Sequence, residues 1–153
     1  MYDLMVRQLV EVSEGSRVPL SMLSNCASLI FLTMDRLNWV GFYLVKNQTL
    51  YLGPFQGKPA CTVIPFGKGV CGTAAASQQI QRVEDVHAFP GHIACDAASA
   101  SELVIPLIMH GKCIGVLDLD SPECGRFSED DAKGLQKVMD TLLESCDFSS
   151  GLL

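Results

Sequence analysis

A chain of 153 residues with 48% hydrophobic and 18% charged side chains is long enough for one domain with a real core, and too apolar to be disordered. Its 11 basic and 17 acidic side chains leave a net charge of −6, which argues against a nucleic-acid or anionic-membrane surface. No apolar run reaches the length of a membrane span, and the N-terminus MYDLMVRQLVEVSEG lacks the layout of a secretory signal, so a cytoplasmic location is expected. Seven cysteines in a reducing compartment are not expected to form a static disulfide framework; buried thiols, metal ligands or redox chemistry remain.

In chain order, apolar residues at helical spacing from Leu20 to Leu37 predict a core-facing helix. NWVGFYLV (38–45) and TLYLGPF (49–55), separated by the polar turn KNQ, predict a hairpin, and ACTVIPF (60–66) a third strand. The glycine-rich turn GKGVCG (67–72) leads into a short alanine-rich helix at 73–79. QRVEDV (81–86) reads as a strand, and HAFPGHIACDAASAS as a long loop. SELVIPLIMH (101–110) and CIGVLDLD (113–120), joined at HGK, form a strong hairpin pattern. SEDDAKGLQKVMDTLLESC (128–146) closes the chain as an amphipathic helix with Ser128 as its N-cap. Helices flanking five or six mostly antiparallel strands predict an α+β domain with one central sheet.

Three constellations could do chemistry. The first is the set of thiols Cys61, Cys71 and Cys95. They lie beside glycine, alanine and serine, which leave a thiol uncovered, whereas Cys26, Cys113 and Cys146 lie in apolar periodic segments and read as buried filler. Cys124 falls in a surface-like turn. Cys71, in a glycine turn at a helix N-terminus, is expected to be favoured as a thiolate. A structural zinc site needs close pairs such as C-x-x-C; none occurs, and His92 with Cys95 has no second pair to complete four ligands. No metal or cofactor is expected.

The second constellation is acidic. Asp118 and Asp120 are two apart in a strand and share a face, with Leu117 and Leu119 pointing the other way. Antiparallel pairing about the HGK turn brings Glu102 close to residue 120. Mutual repulsion and burial would raise at least one of these pKa values, so one acid could hold a proton near neutrality. The trio could alternatively hold a metal ion or a substrate ammonium. The third constellation is Trp39 and Tyr43, on one face of a strand with Gly41 between them. The glycine is expected to leave a hollow flanked by two rings.

The segments NWVGFYL, LGPFQGKPAC, GKGVCGTA, EDVHAFPGHIACDAASASE and GVLDLDSP together resemble the free methionine-(R)-sulfoxide reductases, which are single GAF-domain enzymes. The resemblance is strongest from about residue 20 to residue 143 and implies a GAF-like single domain over residues 1–153. The segment before Leu20 is shorter than the N-terminal helix that the resemblance implies. Residue by residue, the resemblance implies that Cys95 attacks the sulfoxide, that Cys61 resolves the intermediate as a disulfide, and that Cys71 supports or substitutes in recycling. It further implies that Glu102, Asp118 and Asp120 surround the sulfoxide oxygen and the substrate ammonium, and that Trp39 and Tyr43 wall the pocket. A homodimer recycled by thioredoxin is expected on the same basis.

The chemistry of these residue types agrees. A sulfoxide becomes a useful electrophile when an acid protonates its oxygen; a thiolate can then attack sulfur and become a sulfenic acid, which a second thiol condenses with. The expected function is therefore thiol-dependent reduction of free L-methionine-(R)-sulfoxide. A non-catalytic, ligand-binding sensor of the same fold is the rival from another class, and a metal-dependent enzyme built on the acidic trio is a third reading.

Overall fold

A computed structural model describes residues 1–93 and 96–153. Helices α1 (Tyr2–Ser13) and α2 (Pro19–Thr33) precede strands β1 (Trp39–Lys46), β2 (Thr49–Gly57) and β3 (Val63–Pro65). Helix α3 (Gly69–Ser77), strand β4 (Gln81–Val83) and a 3-10 turn (Val86–Ala88) follow. Strands β5 (Ser101–Met109) and β6 (Lys112–Ser121) and helix α4 (Glu129–Ser145) complete the chain. Among the described residues, six strands form one sheet in the order β3-β2-β1-β6-β5-β4, with every neighbouring pair antiparallel. The expected α+β architecture is present, at the upper end of the expected strand number.

The pleat of the strands divides the core in two. Val40, Phe42 and Leu44 of β1, Leu103, Ile105 and Leu107 of β5, and Leu117 and Leu119 of β6 face α1, α2 and α4. Trp39 and Tyr43 of β1, Val104 of β5 and Val116 of β6 face the other way, against Val70, Cys71 and Ala74 of α3. A sheet covered by helices on one face and by a short helix and loops on the other leaves its second face free to form a cleft.

Four elements differ from the sequence-based expectation, each for a local physical reason. Helix α1 was not anticipated, and it buries few of its apolar residues. Only Met5 and Leu9, four apart, are fully buried, whereas Leu4, Val10 and Val12 are exposed. It is also pinned by Tyr2, whose hydroxyl bonds the Asp131 carboxylate and whose ring lies against Gly134 of α4, where any Cβ would collide with it. Helix α2 stops at Thr33 rather than reaching Leu37. Met34 turns extended and Arg36 adopts φ +57°, which redirects the chain into β1. Helix α3 begins at Gly69, before the expected residue 73. The glycines do not only make a turn: a Cβ on Gly72 would sit 2.5 Å from the Pro65 carbonyl, so glycine lets the first turn pack on the end of β3. The strands expected at 60–66 and 81–86 shrink to Val63–Pro65 and Gln81–Val83, since only those residues find a partner strand.

Helix α4 starts where expected. The Asp131 N–H donates to Ser128 Oγ at 3.0 Å, and the Ser128 N–H donates to Asp131 Oδ2 at 2.9 Å, a reciprocal capping box. No described helix is long and apolar enough to cross a membrane.

If α1 is part of the core, Leu9→Ala should cost about 2–5 kcal/mol, the range for truncating a fully buried leucine. Urea unfolding checks this. A midpoint unchanged from wild type would mean that α1 is only loosely attached.

Candidate active site

The register of three central strands assembles the site. Across β5 and β6, Glu102 lies opposite Asp120 and Val104 opposite Asp118. Across β1 and β6, Trp39 lies opposite Asp120 and Gly41 opposite Asp118. Period-two alternation then puts Trp39, Gly41, Tyr43, Glu102, Asp118 and Asp120 on one face. Of these, Trp39, Tyr43, Glu102, Asp118 and Asp120 line a cleft beneath α3 and the loops. The convergence of the three acids on one mouth, expected from the hairpin, is therefore present.

Glu102 and Asp118 are only 6% and 5% exposed, which is exceptional for carboxylates. Burial, then the neighbouring Asp118 and Asp120, push Glu102 well above the ordinary carboxylate range. Asp120 is likewise pushed well up, by burial and then by Asp118 and Asp96. Asp118 is also raised by burial, but hydrogen bonds from Glu102 and Cys71 oppose that rise. Asp118 is thus the acid best able to carry a negative charge, and Glu102 one of those that keep a proton. Among the described residues, Asp118 Oδ1 is buried without a hydrogen-bond partner and belongs to the cleft lining. On either side of the Glu102 carboxyl lie Cys71 Sγ, 3.9 Å from Oε2, and His92 Nε2, 3.8 Å from Oε1.

Cys71 departs from the thiolate expectation. It does occupy the first turn of α3, but it is buried among acids. Burial, followed by Asp118, Glu102 and Asp120, raises its pKa well above that of a free thiol. The helix N-terminus contributes less than those opposing effects, so Cys71 is a protonated thiol that donates toward Glu102. Its sulfur and oxygens of Glu102 and Asp118 lie within 4.8 Å of one another, a donor set compact enough to admit a cation.

The aromatic pair also differs in detail. Gly41 does not leave a hollow: its Cβ position is taken by Phe55 and by the Trp39 ring, 2.6 Å away. Glycine is there so that the indole can lie down over the strand. The indole stacks on Phe55 with centroids 5.4 Å apart and on Tyr43 with centroids 6.0 Å apart. Between the Gly41–Phe55 and Tyr43–Leu52 pairs, β2 carries one extra residue in a bulge, Gly53 and Pro54 standing against Phe42 alone. Trp39 and Tyr43 nonetheless line the cleft, as expected.

The remaining cysteines separate by environment. Cys61 lies in the connection between β2 and β3, just before the strand, and is disulfide-bonded. Its carbonyl accepts the Tyr43 hydroxyl at 2.9 Å. Cys26 and Cys146 are buried free thiols, Cys113 is half-buried, and Cys124 is exposed. Cys95 lies outside the described residues. Further residues of the lining were not singled out as such from the sequence: Lys58, Lys68, Asp96 and Ser99, with His92 noticed only as a lone metal candidate. Lys58 and Lys68 each follow a glycine in a quoted motif, but nothing in their spacing marks them as pocket residues.

The sequence pattern of the GAF domain matches residues 1–143, and the curled antiparallel sheet with its cleft is that of this class. The chain is 55% identical over 120 residues to the free methionine-R-sulfoxide reductase of Escherichia coli, covering 78% of this chain and 73% of that protein. It is 45% identical over 146 residues to the free methionine-R-sulfoxide reductase of Saccharomyces cerevisiae, covering 90% and 81%. The crystal structure of free methionine-R-sulfoxide reductase from Neisseria meningitidis in complex with its substrate superposes with a TM-score of 0.90 at 42% identity, over 94% of this chain and 87% of that one. The chain belongs to the free methionine-R-sulfoxide reductase family of GAF-domain proteins.

The acid cluster has a consequence for stability. A carboxyl whose folded pKa is raised binds its proton more tightly than in the unfolded chain. Its stabilising contribution is complete below the unfolded value of about 4 and is lost as pH rises toward the folded value. Glu102→Gln removes one such group, so its stability should fall less steeply than wild type from about pH 4 upward. Urea midpoints across that range check this; parallel curves for the two proteins would contradict the assignment of a raised Glu102.

Proposed function

We propose that this chain reduces free L-methionine-(R)-sulfoxide to L-methionine. The observation that carries the reading is the buried, proton-holding acid cluster at the floor of a cleft, flanked by a thiol and two stacked rings. The names of the relatives from E. coli and S. cerevisiae, and the substrate complex of the N. meningitidis protein, support the same substrate.

Glu102 donates a proton to the sulfoxide oxygen, which makes the sulfur electrophilic. Asp118, the most easily ionised of the three acids, and Asp120 receive the substrate ammonium. Trp39 and Tyr43 hold the S-methyl end against their rings. The Cys95 thiolate attacks the activated sulfur, and oxygen passes to Cys95 as a sulfenic acid while methionine leaves. The Cys61 thiol then attacks that sulfenic sulfur. One S–S bond forms, the S–O bond breaks, and the oxygen departs as water. The disulfide already at Cys61 fits a resolving role. A dithiol protein of the thioredoxin type restores both thiols by exchange. Cys71, held protonated beside Glu102, serves as a donor in the acid network and as the reserve thiol for recycling. The working state assigned here is a cytoplasmic homodimer, on the strength of the family resemblance alone.

Methionine release from free methionine-(R)-sulfoxide with dithiothreitol is the direct assay. Wild type should turn over, and Cys95→Ala should show no turnover above background. Full turnover in Cys95→Ala would move the nucleophile to Cys71 or Cys61, and none in wild type would overturn the reading.

Glu102→Gln should lower kcat by about 10²- to 10⁴-fold, the range for loss of a general acid. Steady-state kinetics near neutral pH test this, and an unchanged kcat would remove Glu102 from the proton-donor role.

A further inference from the structure

One strand holds both loops that border the cleft. Asn38 immediately precedes β1, and its backbone N–H is fixed on the Asp120 carbonyl at 3.0 Å. Its side-chain Nδ2 donates to Asp96 Oδ2 at 3.0 Å and to Ser99 Oγ at 3.1 Å, which ties down residues 96–99. From the other side of the same strand end, Trp39 Nε1 donates to the Lys58 carbonyl at 3.0 Å and the Tyr43 hydroxyl donates to the Cys61 carbonyl at 2.9 Å. These two bonds grip the five-residue connection 58–62 near both its ends, and the Leu52 N–H adds a third bond, to the Thr62 carbonyl at 3.0 Å. The connection carries Cys61; the other loop follows directly on Cys95 in the sequence. Strand β1 lies inside the sheet, paired on both edges, so it is a rigid reference.

We propose that Asn38 and Tyr43, with Trp39, are positioning residues that set the distance between the two redox loops and thereby the rate at which the sulfenic acid is resolved. The proposal rests on the reading of the function given above. Condensation of a sulfenic acid with a thiol needs the reacting sulfurs held close and aligned, and loops tethered to a common strand keep that alignment where separately anchored loops would drift. The Tyr43 ring therefore has two duties, a wall for substrate and a tether for the Cys61 backbone, and the second belongs to its hydroxyl alone. Asn38 acts only as a tether, since it is absent from the cleft lining.

A single-turnover experiment separates the steps. Fully reduced protein is mixed with free methionine-(R)-sulfoxide without reductant, and methionine release and loss of free thiols are followed together, with dimedone to trap sulfenic acid. In wild type, thiol loss should follow methionine release closely. The ratio of the resolution rate to the methionine-release rate should fall about tenfold in Tyr43→Phe, the effect of losing one hydrogen bond, and at least as far in Asn38→Ala, which loses two. Dimedone adducts on Cys95 should accumulate in both variants. A purely structural role would slow both steps together, and thermal unfolding of each variant reports whether the fold is retained. Resolution as fast as in wild type, or both steps lost in proportion, would overturn the proposal. A wild-type protein that released no methionine would instead overturn the assigned function, and the positioning role with it.

Discussion

The pairing of Glu102 with Asp120 across β5 and β6 is the constraint on which the site depends. It forces two carboxyl groups together, and the strand pleat adds Asp118 as a third. The basic group beside them, His92, 3.8 Å from Glu102, has its own pKa lowered by burial and so compensates little, and among the described residues Asp118 Oδ1 has no hydrogen bond. Charge cannot be spread over three acids in so dry a place, so protons stay bound. A fold concerned only with stability would place hydrophobic residues on this face, as it does on the other. Keeping acids here costs stability above the ordinary carboxylate range and yields a proton donor at neutral pH.

The rest of the architecture protects that arrangement. The face of the sheet turned toward α1, α2 and α4 is uniformly apolar and supplies the core that makes the register of β1, β5 and β6 unambiguous. The opposite face has only α3 and loops above it. Helix α3 can approach β3 closely because Gly72 has no side chain, and this brings Cys71 to Glu102. Gly41 performs a similar service for Trp39, letting the indole lie over the strand beside the acids. Hydrogen bonds from Asn38, Trp39 and Tyr43 then tie the covering loops to the same strand.

Much of this was legible in the sequence because it follows from short-range rules. Alternation in GVLDLDSP and the short turn at HGK set the β5–β6 register, and with it the meeting of Glu102, Asp118 and Asp120. The N-cap at Ser128 was visible for the same reason: the bond it accepts from the Asp131 N–H spans three residues. What escaped depends on partners distant in the chain. The protonated state of Cys71 comes first from its burial and then from acids roughly thirty and more residues away, against the local helix effect that the sequence displays. The space at Gly41 is filled by Phe55 from the next strand. Helix α1 buries only two side chains, and its place is fixed by Tyr2 meeting Asp131 and Gly134. The roles assigned to Cys95 and Cys61 came from the resemblance of long motifs, and Cys95 lies outside the described residues.

The central claim is that Glu102 holds a proton at neutral pH in the resting protein. Infrared difference spectroscopy between wild type and Glu102→Gln near pH 7 tests this most directly, through the carbonyl stretch of a protonated carboxyl group, which is distinct from that of a carboxylate. The account predicts a protonated-carboxyl band in wild type that is lost in the variant. A difference spectrum showing only the loss of a carboxylate band would contradict it.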